Sequence, residues 1–219
     1  MVGPNLKAYY ENSDFSSDTN IPTNSGMLSK GFRYVEDTET NQKYNNCIDT
    51  YIIVYEKYVM EWVFKWGRML QDPKHNDAGF VVLQIAISQI EEMEQCRLGK
   101  LSKKESGVLF CAGMKRIFKL NNDDDVWLKK FYLLCRCGLF HCGMTRKNVL
   151  VENSYEKAIE YKKDTTEFYL NPNKFLNAVI ADFSEYINEL KDEKNHELRK
   201  AFETKWDLEE ENSEFILRS

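Results

Sequence analysis

The stretch FYLLCRCGLFHCGMTRK, residues 131–147, sets a polar pair among apolar neighbours, and the rest of the chain can be interpreted from it. Arg136 and His141 stand with four residues between them, flanked by apolar side chains, three cysteines and two glycines. Gly138 weakens a helix locally, and Gly143 is well placed to end one. The stretch therefore predicts the C-terminal end of a buried helix that carries two polar side chains.

The helix that carries this stretch is predicted to begin near Val126. The preceding residues, Asn121 to Asp125, break an earlier helix and place negative charge at the start of the next. An acidic triplet at residues 123–125 also suggests a metal site. Because its carboxylates are consecutive and no others have ligand spacing, capping is the preferred interpretation.

Apolar residues recur every three or four positions on both sides of this helix, which is typical of amphipathic helices. A further sign is Ser102 followed by Glu105, a capping-box pattern, while Asn171 and Pro172 start a later helix. The periodic residues are Ile48, Ile52, Tyr55, Val59, Trp62, Trp66 and Leu70; Phe80, Leu83, Ile87, Ile90 and Met93; Val108, Cys111, Ala112 and Phe118; Phe175, Val179, Phe183, Ile187 and Leu190; and Leu198, Phe202 and Trp206. The sequence thus predicts a mainly all-α protein, an antiparallel helical bundle.

Three segments depart from helical periodicity. Residues 148–170 have a shorter period broken by turn residues, which predicts a small β-hairpin insertion. Residues 1–42 are rich in Asn, Ser, Thr and Asp, and we interpret them as an irregular arm that packs on the surface or regulates the protein. Residues 209–219 form an acidic tail, which leaves a single bundle domain at residues 43–208.

Charge is distributed unevenly along the chain. The net charge of -5 argues against a general nucleic-acid coating protein, whose affinity comes from phosphate neutralisation. Residues 115–147 nevertheless carry eight Lys and Arg against three Asp, whereas residues 182–214 carry five against twelve Asp and Glu. The stretch around Arg136 therefore belongs to the basic part of an acidic protein.

The cellular compartment follows from the apolar runs and the cysteines. No apolar run reaches the length of a membrane span, and the N-terminal residues lack a secretory signal pattern, so we expect a cytoplasmic protein without a membrane partner. The six cysteines are then expected to be reduced and mostly buried rather than paired in disulfides.

Arg136 and His141 together suggest chemistry on RNA. Histidine exchanges a proton near neutral pH, and arginine presents a fork of donors suited to phosphate oxygens. On an ideal helix the two side chains would point roughly 140° apart, so they need a helix end between them to cooperate. Such a pair can promote attack of a ribose hydroxyl on the neighbouring phosphate. The plain structural alternative is a histidine that complements the helix dipole and an arginine paired with a carboxylate.

The segment RCGLFH, residues 136–141, near the end of the fourth long helix of a bundle, resembles the motif of the HEPN superfamily, an Arg followed after four to six residues by His. The resemblance covers the helix order of residues 44–190, and six to eight residues carry the motif. It implies a HEPN-like bundle that forms a homodimer with a composite active site. Many such proteins are metal-independent endoribonucleases of toxin–antitoxin and antiviral systems, which implies RNA as substrate and an antitoxin or regulatory protein as partner.

The resemblance also assigns roles. His141 would act as general base or acid and Arg136 would stabilise the phosphorane, giving a 2',3'-cyclic phosphate product without a cofactor or metal. Lys129, Lys130, Arg146 and Lys147 are predicted to guide the RNA backbone. In the nucleases the position after the Arg is often Asn, Asp or His, whereas here it is Cys137. This departure bears on catalysis more than on the fold.

Two other interpretations of the same residues stay open. A zinc site could use Cys135, Cys137, His141 and Cys142, although a C-x-C pair inside a helix does not converge on one ion. A cysteine nucleophile beside His141 is a weaker variant of that idea. The last interpretation is a non-catalytic HEPN-like module that binds RNA, a nucleotide or a protein.

Overall fold

A computed structural model describes the backbone of residues 6–10 and 32–218, and the side chains of residues 35–209 apart from Asn76. The chain is mostly helical, as the periodicity predicted, and carries two small sheets. No helix in this described part of the chain is both long enough and apolar enough to cross a bilayer.

Eight α-helices follow one another within the described residues, and two of them continue through π-helical turns. The π-helical segments are residues Val59–Phe64, between α1 and α2, and Tyr132–Arg136, between α5 and α6. The α-helices are α1 (Ile48–Tyr58), α2 (Lys65–Met69), α3 (Gly79–Leu98), α4 (Ser106–Phe118), α5 (Asp125–Phe131), α6 (Cys137–Cys142), α7 (Pro172–Lys191) and α8 (His196–Arg218). Short 3₁₀ turns at Pro73–Ala78 and Asn122–Asp124 precede α3 and α5.

The predicted hairpin at residues 148–170 is present and has one more strand than expected. Strands β5 (Ile159–Lys162) and β6 (Glu167–Leu170) pair in antiparallel register. A further strand, β4 (Val149–Val151), runs parallel to β6, so the sheet order is β4-β6-β5. Its buried side, Phe168 and Leu170, joins the helical core.

The prediction of an irregular arm at residues 1–42 is wrong for the part of this segment that the structure describes. The strands β1 (Leu6–Tyr10), β2 (Phe32–Asp37) and β3 (Gln42–Asn45) form an antiparallel three-stranded sheet. Each strand contains β-branched or aromatic residues, which favour strands. Backbone hydrogen bonds between the strands form the sheet, although the low apolar content of residues 1–42 did not indicate regular structure. Residues 1–5 and 11–31 lie outside the described part.

The C-terminal segment is also more regular than predicted. The helix α8 does not stop at the acidic run that starts at Glu209, because its backbone stays helical to Arg218. Upstream, Phe202 and Trp206 are buried, and their rings pack in a tilted arrangement with centroids 5.6 Å apart. The acidic tail is therefore a continuation of a docked helix.

The helix α3 lies at the centre of the bundle and packs against α4, α7 and α8. The approach of α4 is close, since a Cβ placed on Gly113 would lie 2.6 Å from Cγ2 of Ile90. Both Ile90 and Met93 of α3 are fully buried. This packing fixes the polar face of α3, including Glu91, next to the start of α4.

Helix ends follow several of the predicted signals. Asn171 caps α7 by accepting a hydrogen bond from the Lys174 amide, and Pro172 occupies the first turn. Asn121 and Asp124 form a capping box ahead of α5, which confirms capping for the acidic triplet. Gly143 ends α6 with a φ of 72°, a left-handed conformation that favours glycine.

Candidate functional site

Arg136 is the last residue of the π-helical turn Tyr132–Arg136, which connects α5 to α6. A π-helical turn adds a residue to the helix and often lies at a functional site. The carbonyl of Leu134 accepts a hydrogen bond from the Arg146 amide at 2.8 Å. The loop after α6 therefore folds back onto the turn that carries Arg136.

The guanidinium of Arg136 is held from three sides. Its Nη2 donates to Oε2 of Glu91 at 3.0 Å, and its Cζ lies 4.7 Å from the ring centroid of Phe140 and 5.6 Å from that of Tyr132. The side chain of Arg136 is 24% exposed and that of Glu91 is 12% exposed. Arg136 is thus oriented by a carboxylate and two rings but still reaches solvent.

Glu91 belongs to a short hydrogen-bond chain that sequence analysis missed. The Ser106 hydroxyl donates to Oε2 of Glu91 at 2.6 Å, and the Tyr132 hydroxyl donates to Oγ of Ser106 at 3.1 Å. The same carboxylate oxygen therefore accepts from both Ser106 and Arg136. The structural alternative to a catalytic role was an arginine paired with a carboxylate, and the bond between Arg136 and Glu91 is such a pair.

His141 lies in the last turn of α6, and its side chain is exposed. It has no hydrogen bond or ion pair within the part of the chain that the structure describes. A histidine there complements the negative end of the helix dipole. Arg136 donates a hydrogen bond to Glu91 and none to His141. The two motif residues therefore lie on one continuous helix without a hydrogen bond between them.

Gly138 allows the loop after α6 to approach the helix. A Cβ at this position would lie 2.8 Å from the carbonyl oxygen of Met144 and 3.2 Å from the amide of Arg146. Any side chain larger than hydrogen would push that backbone away. The glycine predicted to weaken the helix thus has a packing role beside Arg136.

The four predicted RNA-guiding cations lie on two different elements of the chain. Arg146 and Lys147 are exposed in the loop that contacts Gly138, close in the chain to His141. Lys129 and Lys130 are exposed in the last turn of α5. Arg146 and Lys147 are therefore the pair nearest in sequence to the exposed histidine.

The cysteines of this stretch differ in exposure. Cys135 is fully buried, which raises the pKa of its thiol well above the ordinary value, whereas Cys137 is half-buried and Cys142 is exposed. Within the described side chains, no three His, Cys, Asp or Glu residues are grouped as metal ligands. Because Cys135 points into the core and Cys142 to solvent, the four candidate zinc ligands do not converge.

We expect the thiols to react in an order set by burial. Cys47 and Cys142 are exposed and should be modified rapidly by a thiol reagent at pH 8, whereas Cys96 and Cys135 should react only when the protein unfolds. Burial raises the pKa of both inner thiols, so less of the reactive thiolate forms. Mass spectrometry after timed labelling checks this order, and rapid labelling of Cys135 in the folded protein would contradict the core placement.

No family model, curated protein or solved structure matches this chain.

Proposed function

We propose that the protein is a metal-independent endoribonuclease of the HEPN type, with a HEPN-like bundle as its fold. His141 accepts the proton of a ribose 2'-hydroxyl or donates one to the leaving oxygen, and Arg136 stabilises the charge that develops on the phosphorane. The bond formed joins the 2'-oxygen to phosphorus, the bond broken joins phosphorus to the 5'-oxygen, and a 2',3'-cyclic phosphate remains.

The observation that carries this proposal is the partial pairing of Arg136. Only Nη2 is bonded to Glu91, while Nε and Nη1 have no hydrogen-bond partner in the described part of the chain. A guanidinium that donates through only one nitrogen retains donors for a phosphate oxygen. The ion pair with Glu91 then serves to orient the fork, much as supporting hydrogen bonds orient other catalytic groups.

A homodimer with a composite site fits the surface around the motif. Apolar side chains lie exposed next to it, with Phe140 39% and Met144 58% exposed. In a symmetric dimer each protomer would present the same patch, and two copies of Arg146 and Lys147 would flank one groove. We propose a toxin or antiviral role for this enzyme, restrained by an antitoxin or regulatory protein.

A second candidate function is a HEPN-like module that binds RNA, a nucleotide or a protein without cleaving it. The absence of an orienting partner for His141 within the described residues and the presence of Cys137 after the arginine favour this alternative. Binding requires only the positive surface, whereas cleavage also requires His141 to exchange a proton.

The test uses the purified full chain and a labelled single-stranded RNA with excess chelator present. We expect cleavage without added metal, products that end in a 2',3'-cyclic phosphate, and activity that rises with the dimeric fraction across a dilution series. Stable RNA binding with no cleavage would support the binding module instead. Cleavage that requires a divalent metal would remove the proposed mechanism.

A further inference from the structure

An open groove separates α4 from α5 and from the π-helical turn that follows α5 and ends at Arg136. Its volume is about 640 Å³. One wall follows α4 and the residues just before it, and the other follows α5 and the turn that ends at Arg136. The lining residues are Lys104, Gly107, Val108, Cys111, Ala112, Lys115, Asp125, Lys129, Tyr132 and Leu133.

The groove lies along the side of α4 that the core does not cover. Leu109, Phe110 and Met114 on the other side of this helix are buried. Val108 is 67% exposed, and Ala112 is also exposed. Across the groove, Leu133 is 55% exposed. Small residues form the floor, and the Tyr132 ring lies 3.4 Å from a Cβ placed on Gly107. Two apolar rims over a shallow floor form a surface that a partner can cover.

Lysines give the groove a positive charge. Lys104 and Lys129 are exposed and make no ion pair within the described residues, whereas Lys115 is bonded to Asp125 at 2.5 Å. Two lysines thus remain uncompensated, one on each wall. A partner with carboxylates on both sides of an apolar stripe would match this distribution.

The shape favours a helix over a compact ligand. From Gly107 to Lys115 the groove follows α4 for about 12 Å, which is two turns of a helix. A nucleotide or an RNA base would need several polar groups converging on it. Here the Tyr132 hydroxyl is bonded to Ser106, and the pair Lys115 and Asp125 satisfies itself.

We propose that this groove docks the apolar face of an acidic amphipathic helix from a protein partner. The partner places apolar side chains at positions i, i+4 and i+7 against Val108 and Leu133, and its flanking carboxylates pair with Lys104 and Lys129. This interaction does not depend on the Arg136 and His141 chemistry. A binding module without nuclease activity would dock the same helix.

The experiment selects binders to the full-length wild-type protein from a displayed library of acidic amphipathic helices of about 14 residues. Selected peptides, fluorescently labelled, are then titrated with the wild type and with Val108→Glu and Leu133→Glu. Because both positions are exposed, these variants should fold, and circular dichroism checks that they do. We expect each substitution to weaken binding at least about tenfold, since it places a charge on an apolar rim.

The matched control is Val81→Glu, which alters an exposed valine of α3 that does not line the groove and should leave binding unchanged. The same peptides with lysine in place of glutamate should bind much more weakly. A library that yields no binder, or binders that are insensitive to both groove substitutions, would overturn the proposal. So would an RNA oligonucleotide whose binding depends on Leu133 while peptide binding does not.

Discussion

Replacing His141 with alanine should reduce RNA cleavage by at least about 100-fold, which is the usual contribution of a general acid or base. The side chain is exposed in the last turn of α6 and makes no hydrogen bond within the described residues, so its removal should leave the fold intact. Arg136→Ala should cause a loss of similar size, because it removes the cation that we propose stabilises the phosphorane. Initial rates on a labelled RNA, compared at equal concentrations of folded protein, measure both effects.

Matched controls separate catalysis from the loss of a positive charge. His196 lies at the start of α8 and Arg68 in the last turn of α2, and both are exposed. The variants His196→Ala and Arg68→Ala should therefore cleave RNA at the wild-type rate. Full activity in His141→Ala would remove the nuclease mechanism. RNA binding that is the same in the wild type, His141→Ala and Arg136→Ala, without cleavage by any of them, would favour the binding module.

Arg136→Ala has a structural cost that must be measured beside the rate. The substitution leaves Glu91 with one partner, the Ser106 hydroxyl at 2.6 Å, so the carboxylate is not orphaned. A charge-assisted hydrogen bond of this kind contributes roughly 1–3 kcal/mol to the free energy of unfolding. Because that cost does not unfold a domain of ordinary stability, a large loss of cleavage in the folded variant reflects the chemistry.

The sequence predicted the helices best where one amphipathic face meets the core. For α7, the apolar period and the pair Asn171 and Pro172 are local signals, and the structure places them as expected. The capping box of Ser102 and Glu105 did not form, because α4 starts at Ser106. Glu105 binds Lys100 instead. The ion pair with Lys100 therefore replaced the capping box, for which Ser102 and Glu105 have only a weak local preference.

The candidate site was predictable only in part. The sequence indicated Arg136, His141 and a helix end at Gly143, which are all within one stretch. Glu91 lies 45 residues earlier in the chain. No local pattern marks it, since it becomes a partner only when α3 packs beside α4 and the π-helical turn. The π-helical turn itself was also missed, because apolar spacing does not distinguish one inserted residue from an α-helix.

The same limit applies to α4, which buries Leu109, Phe110 and Met114 but carries apolar residues on its exposed side as well. An apolar period predicts that a helix has an apolar side, but it does not say whether this chain or another covers that side. In α7 the apolar residues Phe175 and Phe183 are buried by the protein itself. In α4, Val108 is left exposed. A stripe that the fold does not cover is the feature that points to a partner.

Replacing Phe131 with alanine should lower the free energy of unfolding by about 3–5 kcal/mol, the usual cost of deleting a buried aromatic ring. Phe131 is fully buried and begins the stretch that leads to Arg136 and His141. Its ring contacts one ring each from α4, β6 and α7: Phe110 at 6.1 Å, Phe168 at 5.4 Å and Phe175 at 6.4 Å between centroids. Removing it therefore leaves a cavity where three elements meet.

Chemical denaturation of Phe131→Ala and of Phe80→Ala provides the comparison. Phe80 is 40% exposed at the start of α3, so its removal should cost about 1 kcal/mol or less. For a chain of this length, the loss at Phe131 corresponds to a fall in Tm of about 6–20 °C. Equal stability of the two variants would contradict a core organised around this ring. A large difference would show that the core holds the last residue of α5, about one turn before Arg136.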